Sequence, residues 1–177
     1  MRLFFSLNFS PETVRAMEDV QRRLKAFAPS GVYPPPQNLH LTLAFLGEVP
    51  DHREGEVRNI LESLSPVPMV LEFSRVGKFT QGDKELWWLG AQPCPELETL
   101  RAHLISRLEL CRFSPDRKPF RPHVTLARKV MFPGRVPCWE ELLPREIQAP
   151  CGRVSLMRSR LTPAGPVYWE LAGKAPL

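Results

Sequence analysis

The chain has 177 residues, 43% hydrophobic and 24% charged, a balance that supplies a packed core and excludes disorder as the main state. Lys and Arg number 24 against 19 Asp and Glu, so the formal charge of +5 favours anionic partners without choosing between RNA, DNA and a phosphorylated small molecule. Cys94, Cys111, Cys138 and Cys151 show no C-x-x-C pair and no interleaved His at zinc spacing. The N-terminus turns polar too soon for a signal peptide, and no apolar run approaches the roughly 20 residues of a membrane helix. A cytoplasmic protein with reduced thiols is expected.

Arg2 to Phe9 alternates as a strand does, with Leu3, Phe5 and Leu7 set against Phe4 and Ser6. Ser10-Pro11-Glu12 then opens a helix running to about Phe27, its buried stripe being Val14, Met17, Val20, Leu24 and Phe27. Tyr33-Pro34-Pro35-Pro36 makes a stiff approach to a strand through His40 that closes at Gly47 and Pro50. A helix over 51–64 and strands over 69–79 and 85–91 follow, the strands joined by a turn at 81–84. Cys94-Pro95-Glu96 starts another helix, burying Leu97, Leu100, Leu104, Ile105 and Leu108 and ending near Cys111. A loop carrying Arg117 and Lys118 leads to a strand through His123. Residues 132–150 read as irregular with a helical turn at 139–143, and the last strands as 151–161 and 167–172. The mixture predicts an α+β fold, one domain over 1–177 made of two related halves.

Two stretches stand out: His40-Leu41-Thr42-Leu43 and His123-Val124-Thr125-Leu126. On a strand, His40 and Thr42 share one face, as do His123 and Thr125, while Leu41 and Val124 turn to a core. Side by side, the two strands would make one polar cleft. Imidazole, with an ordinary pKa of about 6.5, serves as acid or base near neutrality. One neutral and one protonated histidine suffice to open a cyclic phosphodiester: the base takes a proton from water and the acid protonates the departing alkoxide. Thr hydroxyls on the same strands are placed to donate to the non-bridging oxygens. Two His and two Thr fall short of a catalytic zinc site, and neither a G-x-S-x-G elbow nor a G-x-x-x-x-G-K loop is present. No cofactor is expected. His52 and His103 read as structural or surface residues.

With their flanks, Asn38 to Gly47 and Arg121 to Arg128, these segments resemble the paired signature of the 2H phosphoesterase superfamily. With the opening Arg2-Leu3-Phe4-Phe5, the chain is similar over nearly its whole length to the RNA 2′,3′-cyclic phosphodiesterases, also called the 2′-5′ RNA ligase family. The resemblance implies a bilobal, pseudo-two-fold fold in which two antiparallel sheets flank a central cleft, with helices outside. It implies metal-independent hydrolysis of RNA 2′,3′-cyclic phosphate ends to 2′-phosphates, and in some relatives joining of 2′-5′ ends. His40 then matches the acid, His123 the base, and Thr42 and Thr125 the phosphate-holding threonines. Arg128 matches a position near the phosphate. Strict alternation, however, puts it on the face opposite His123 unless the strand ends or bulges after Ala127. The implied partner is an RNA end, tRNA fragments among them, with a monomeric chain and no membrane. A small cyclic nucleotide substrate and a non-catalytic RNA-end binder are the alternatives.

Overall fold

A computed structural model describes residues 1–82, 84–116, 118–162 and 165–176. Arg117 and part of the 81–84 turn therefore lie outside the described residues. Strand β1 (Arg2–Asn8) leads into helix α1 (Pro11–Phe27). Ser10 caps that helix through its hydroxyl, which accepts from the Thr13 N–H at 3.2 Å, and Pro11 occupies the first turn. Met17, Val20 and Leu24 bury the helix's apolar face. Strand β2 (His40–Glu48) and helix α2 (Glu54–Ser63) follow, then a long hairpin of β3 (Met69–Gln81) and β4 (Lys84–Ala91). Helix α3 (Pro95–Leu110) buries Leu97, Leu100, Leu104 and Leu108 and leads to β5 (His123–Val130). The short helix α4 (Trp139–Leu142) precedes β6 (Ile147–Cys151), β7 (Val154–Thr162) and β8 (Gly165–Lys174).

Among the described residues the strands run β6-β3-β4-β5-β2-β1-β7-β8, every pair antiparallel. The eight strands make one continuous sheet that divides into two four-stranded sheets at its middle, where β2 and β5 share the single register pair Leu41↔Val124. The expected α+β fold with two antiparallel sheets is therefore what the chain forms. The helices cross over: α1, which links β1 to β2, packs on β5 and β6, whereas α3, which links β4 to β5, packs on β2. Each half thus lends a helix to the other's motif strand. Strand β6 departs from the sequence reading, which left 147–150 in a Pro-rich irregular stretch and began the next strand at Cys151. It lies at the sheet edge, and an edge strand tolerates a residue that cannot donate to the ladder.

The motif strands are not regular. Along β2, Leu43 and Leu46 have no partner of their own on β1, because Phe5 and Ser6 pair with Ala44 and Thr42, and Leu3 and Phe4 with Gly47 and Phe45. Along β5 the same happens at Leu126 and Lys129 against β4, and Lys129 sits in the left-handed region at φ 53°. The bulges fall three and six residues after each histidine. Each bulge reverses the alternation of the strand beyond it.

Gly77 and Gly90 admit the Trp88 ring onto the sheet beside His123, since a Cβ at Gly77 would lie 2.4 Å from that ring. Gly77→Ala is expected to cost about 1–3 kcal/mol by overpacking, read as a lower denaturation midpoint at unchanged slope.

Candidate active site

Leu41 and Val124, both fully buried, are the residues through which the two sheets touch. In an antiparallel ladder that pairing sets His40 across from Thr125 and Thr42 across from His123. All four line one cleft of about 430 Å³, together with Arg2, Phe4, Phe45, Arg128, Tyr168 and the 32–35 segment. The cleft thus gathers the five residues marked out by the sequence.

Both imidazoles are fixed in the same way. His40 Nδ1 lies 2.8 Å from the Asn38 carbonyl and His123 Nδ1 lies 2.6 Å from the Arg121 carbonyl. A carbonyl only accepts, so each Nδ1 carries the proton and each Nε2 is left for chemistry in the cleft. The Asn38 side chain is itself tied down, its Nδ2 donating to the Pro166 carbonyl at 3.1 Å. Aromatic rings hold the imidazole planes. His40 packs against Phe4 at 5.0 Å and edge-on to Tyr168 at 5.2 Å, and His123 packs edge-on to Phe79 at 5.3 Å.

This packing depresses both basicities. Burial, with the positive charges of Arg128 and His123 added, pushes His40 down from 6.5 to about 4, against the pull of the Asn38 carbonyl. Burial and Arg128 likewise lower His123. Burial of both rings, with the repulsion of His40 by His123 added, leaves the pair with at most one proton near neutrality. Burial also pushes the Tyr33 hydroxyl up to about 12, so it remains a donor, to the Ala28 carbonyl at 2.8 Å.

Arg128 reaches the cleft because the Leu126 bulge falls between it and Thr125. Strict alternation put it on the other face, and the bulge is the physical reason it does not go there. Its backbone is paired with Val32, N to O at 2.9 Å and O to N at 2.8 Å, which lays residues 32–35 along the cleft wall. The matching bulge in β2 turns Phe45 inward, at the position of the first motif that corresponds to Arg128 in the second. The Arg2 guanidinium stands 5.1 Å from the Phe45 ring centre. The two ends of the site therefore differ, Phe45 beneath Arg2 at one and Arg128 at the other, although the two motifs read alike.

Sequence reasoning passed over Arg2, Phe45, Tyr33 and Tyr168 as site residues. Phe45 was hidden by the bulge. Tyr168 reaches His40 from the far edge of the sheet, for which the local sequence carries no signal. Phe5 is core, Phe9 packs on Phe73, Phe120 lies under Arg101, and Phe132 meets Trp87; none of them lines the cleft. Of the adjacent tryptophans, Trp87 is the core residue, 5% exposed. His103 is exposed and accepts from Arg107 Nε at 3.2 Å, a surface role as expected. Among the described residues no Asp or Glu lines the cleft, and no three His, Cys, Asp or Glu side chains cluster to hold a metal ion. No described helix is long and apolar enough to cross a membrane.

The family profile of the 2′-5′ RNA ligase superfamily matches residues 9–163. An RNA 2′,3′-cyclic phosphodiesterase of Thermus thermophilus is 35% identical over 181 aligned residues, covering 97% of this chain and 88% of its own. The crystal structure of TT0787 of Thermus thermophilus superposes with a TM-score of 0.80 at 29% identity, covering 98% of this chain and 96% of that one. Escherichia coli LigT complexed with 3′-AMP superposes with a TM-score of 0.81 at 26% identity, covering 99% and 97%. Twin motifs, two-sheet fold and profile agree, and the chain belongs to the 2′-5′ RNA ligase superfamily.

Proposed function

We propose that the protein is an RNA 2′,3′-cyclic phosphodiesterase that leaves a 2′-phosphate by two-histidine acid–base catalysis, without metal. The observation that carries this is the matched pair of imidazoles. Each is locked by a carbonyl so that Nε2 is left for the same cleft, which two arginines and no described carboxylate make receptive to an anion. The name of the Thermus relative and the nucleoside monophosphate held by LigT support the substrate class.

The phosphate sits between the strands, its non-bridging oxygens accepting from Thr42 and Thr125 and facing Arg128. His123 Nε2 takes a proton from water, and the water oxygen attacks phosphorus. The P–O3′ bond breaks opposite, and His40 Nε2 protonates O3′, leaving the phosphate on O2′. A further proton exchange with solvent resets the pair. The nucleoside lies towards Phe45 and Tyr168, whose faces suit a base and ribose. Both histidines come from one chain, so a monomer suffices. The crossed helices α1 and α3 make the whole chain one working domain. RNA ends in the cytoplasm, tRNA fragments among them, are the substrates we assign, and joining of 2′-5′ ends would be the same chemistry run backwards.

The test compares a cyclic-phosphate-ended RNA oligomer with the corresponding 2′,3′-cyclic mononucleotide at several salt concentrations. An oligomer preferred at low salt, with the preference shrinking as salt rises, is expected from backbone contacts. Equal kcat/KM for both at every salt concentration would assign the site to small cyclic nucleotides. Binding of the oligomer with no turnover would make the protein an RNA-end binder.

A further inference from the structure

The bulges expose a device the mechanism does not use directly. A bulged residue loses its place in the ladder, and its carbonyl, inside the protein, needs a partner from elsewhere. At Leu126 that partner is Gln21 of α1, whose Nε2 donates to the Leu126 carbonyl at 2.9 Å and to the Pro34 carbonyl at 3.1 Å. Gln21 is buried, 8% exposed, on the apolar side of its helix, where an amide is kept only if its hydrogen bonds are made. At Leu43, the matching bulge of the other motif strand, Arg101 of α3 donates from Nε to the carbonyl at 3.1 Å. Each clamp comes from the helix that crosses over from the opposite half. The repetition, with unlike residues serving like carbonyls, marks a device and not an isolated contact.

We propose that Gln21 is a positioning residue for the phosphate site, acting through Arg128. The inference rests on the phosphodiesterase reading above. Gln21 holds the bulge that reverses β5 and brings Arg128 to the cleft, and it holds the 32–35 segment whose Val32 pairs with the Arg128 backbone. Both of these supports of Arg128 therefore pass through one amide. Without it the Leu126 carbonyl loses its hydrogen bond from α1. The strand can then regain regular alternation, which sends the Arg128 side chain towards the opposite face.

A double-mutant cycle tests this, with Gln21→Met, which keeps the shape but cannot donate, Arg128→Ala, and the pair. One readout is kcat/KM on the cyclic-phosphate oligomer; the other is the Kd for adenosine 2′-monophosphate. Gln21→Met should lower kcat/KM by about 10–100-fold, as misplacement of a phosphate contact does. In the Arg128→Ala background the same change should cost less than about twofold, because the two act as a unit. Affinity for the nucleotide should show the same non-additivity. A folded Gln21→Met variant with unchanged activity, or one that loses the same factor in both backgrounds, overturns the proposal. If the Met variant does not fold, Gln21→Asn, which withdraws the amide by one methylene, is read through the same cycle. Non-additive nucleotide binding in a wild type that turns nothing over would overturn the phosphodiesterase reading while upholding the clamp.

Discussion

His40→Ala and His123→Ala are each expected to lower kcat on a cyclic-phosphate-ended RNA by about 10²–10⁴-fold, the usual contribution of a positioned acid or base. The double variant should be scarcely slower than either single one. In the proposed mechanism, proton removal from water and proton delivery to O3′ belong to one transfer, so losing one partner leaves the other little to do. The fold should survive both changes. Each imidazole lies beside the cleft, partly exposed, and Leu41 and Val124 carry the contact between the sheets. Rate measurements alongside thermal denaturation check this. Rate losses that multiply in the double variant would mean that the histidines act independently, and an active His123→Ala enzyme would remove the assigned base.

The pH dependence should be displaced to the acid side. In the proposed mechanism the reactive form of the free enzyme carries one proton in the histidine pair, and it is depleted as pH rises through the pair's upper macroscopic pKa. His40 is lowered to about 4, chiefly by burial, and His123 is lowered by burial too. Both shifts are downward, so the falling limb of kcat/KM should lie below the 6.5 of an ordinary imidazole. Beyond it the rate constant should drop about tenfold per pH unit. A bound phosphate anion offsets the repulsion from Arg128 and favours the imidazolium. The falling limb of kcat should therefore lie at higher pH, and substrate or product binding near neutrality should take up a proton. Calorimetry of 2′-nucleotide binding in buffers of different ionisation heat measures that uptake directly. A kcat/KM limb above pH 7 with no proton uptake would contradict the account.

Much of this is legible in the sequence. The twin His-x-Thr stretches show their shared face through a period of two, and Ser10-Pro11 marks the start of α1 by its capping chemistry. What escaped is what depends on partners remote in the chain. The bulges that turn Phe45 and Arg128 into the cleft have no composition of their own; Leu43 and Leu126 look like any strand leucine. Their carbonyls are held by Arg101 and Gln21, 58 and 105 residues away in sequence. Gln21 within an apolar stripe was the one available hint, since a polar residue on a buried helix face must have a partner. Strand β6 escaped because Pro150 reads as a breaker unless the strand is known to be an edge.

The most direct test of the central claim is turnover of an RNA oligomer ending in a 2′,3′-cyclic phosphate, with EDTA present, by the wild type and both histidine variants, with the position of the product phosphate determined. Conversion to a 2′-phosphate by the wild type alone is the predicted result. A 3′-phosphate product would reverse the leaving oxygen, and activity that EDTA abolishes or that the variants retain would contradict two-histidine catalysis.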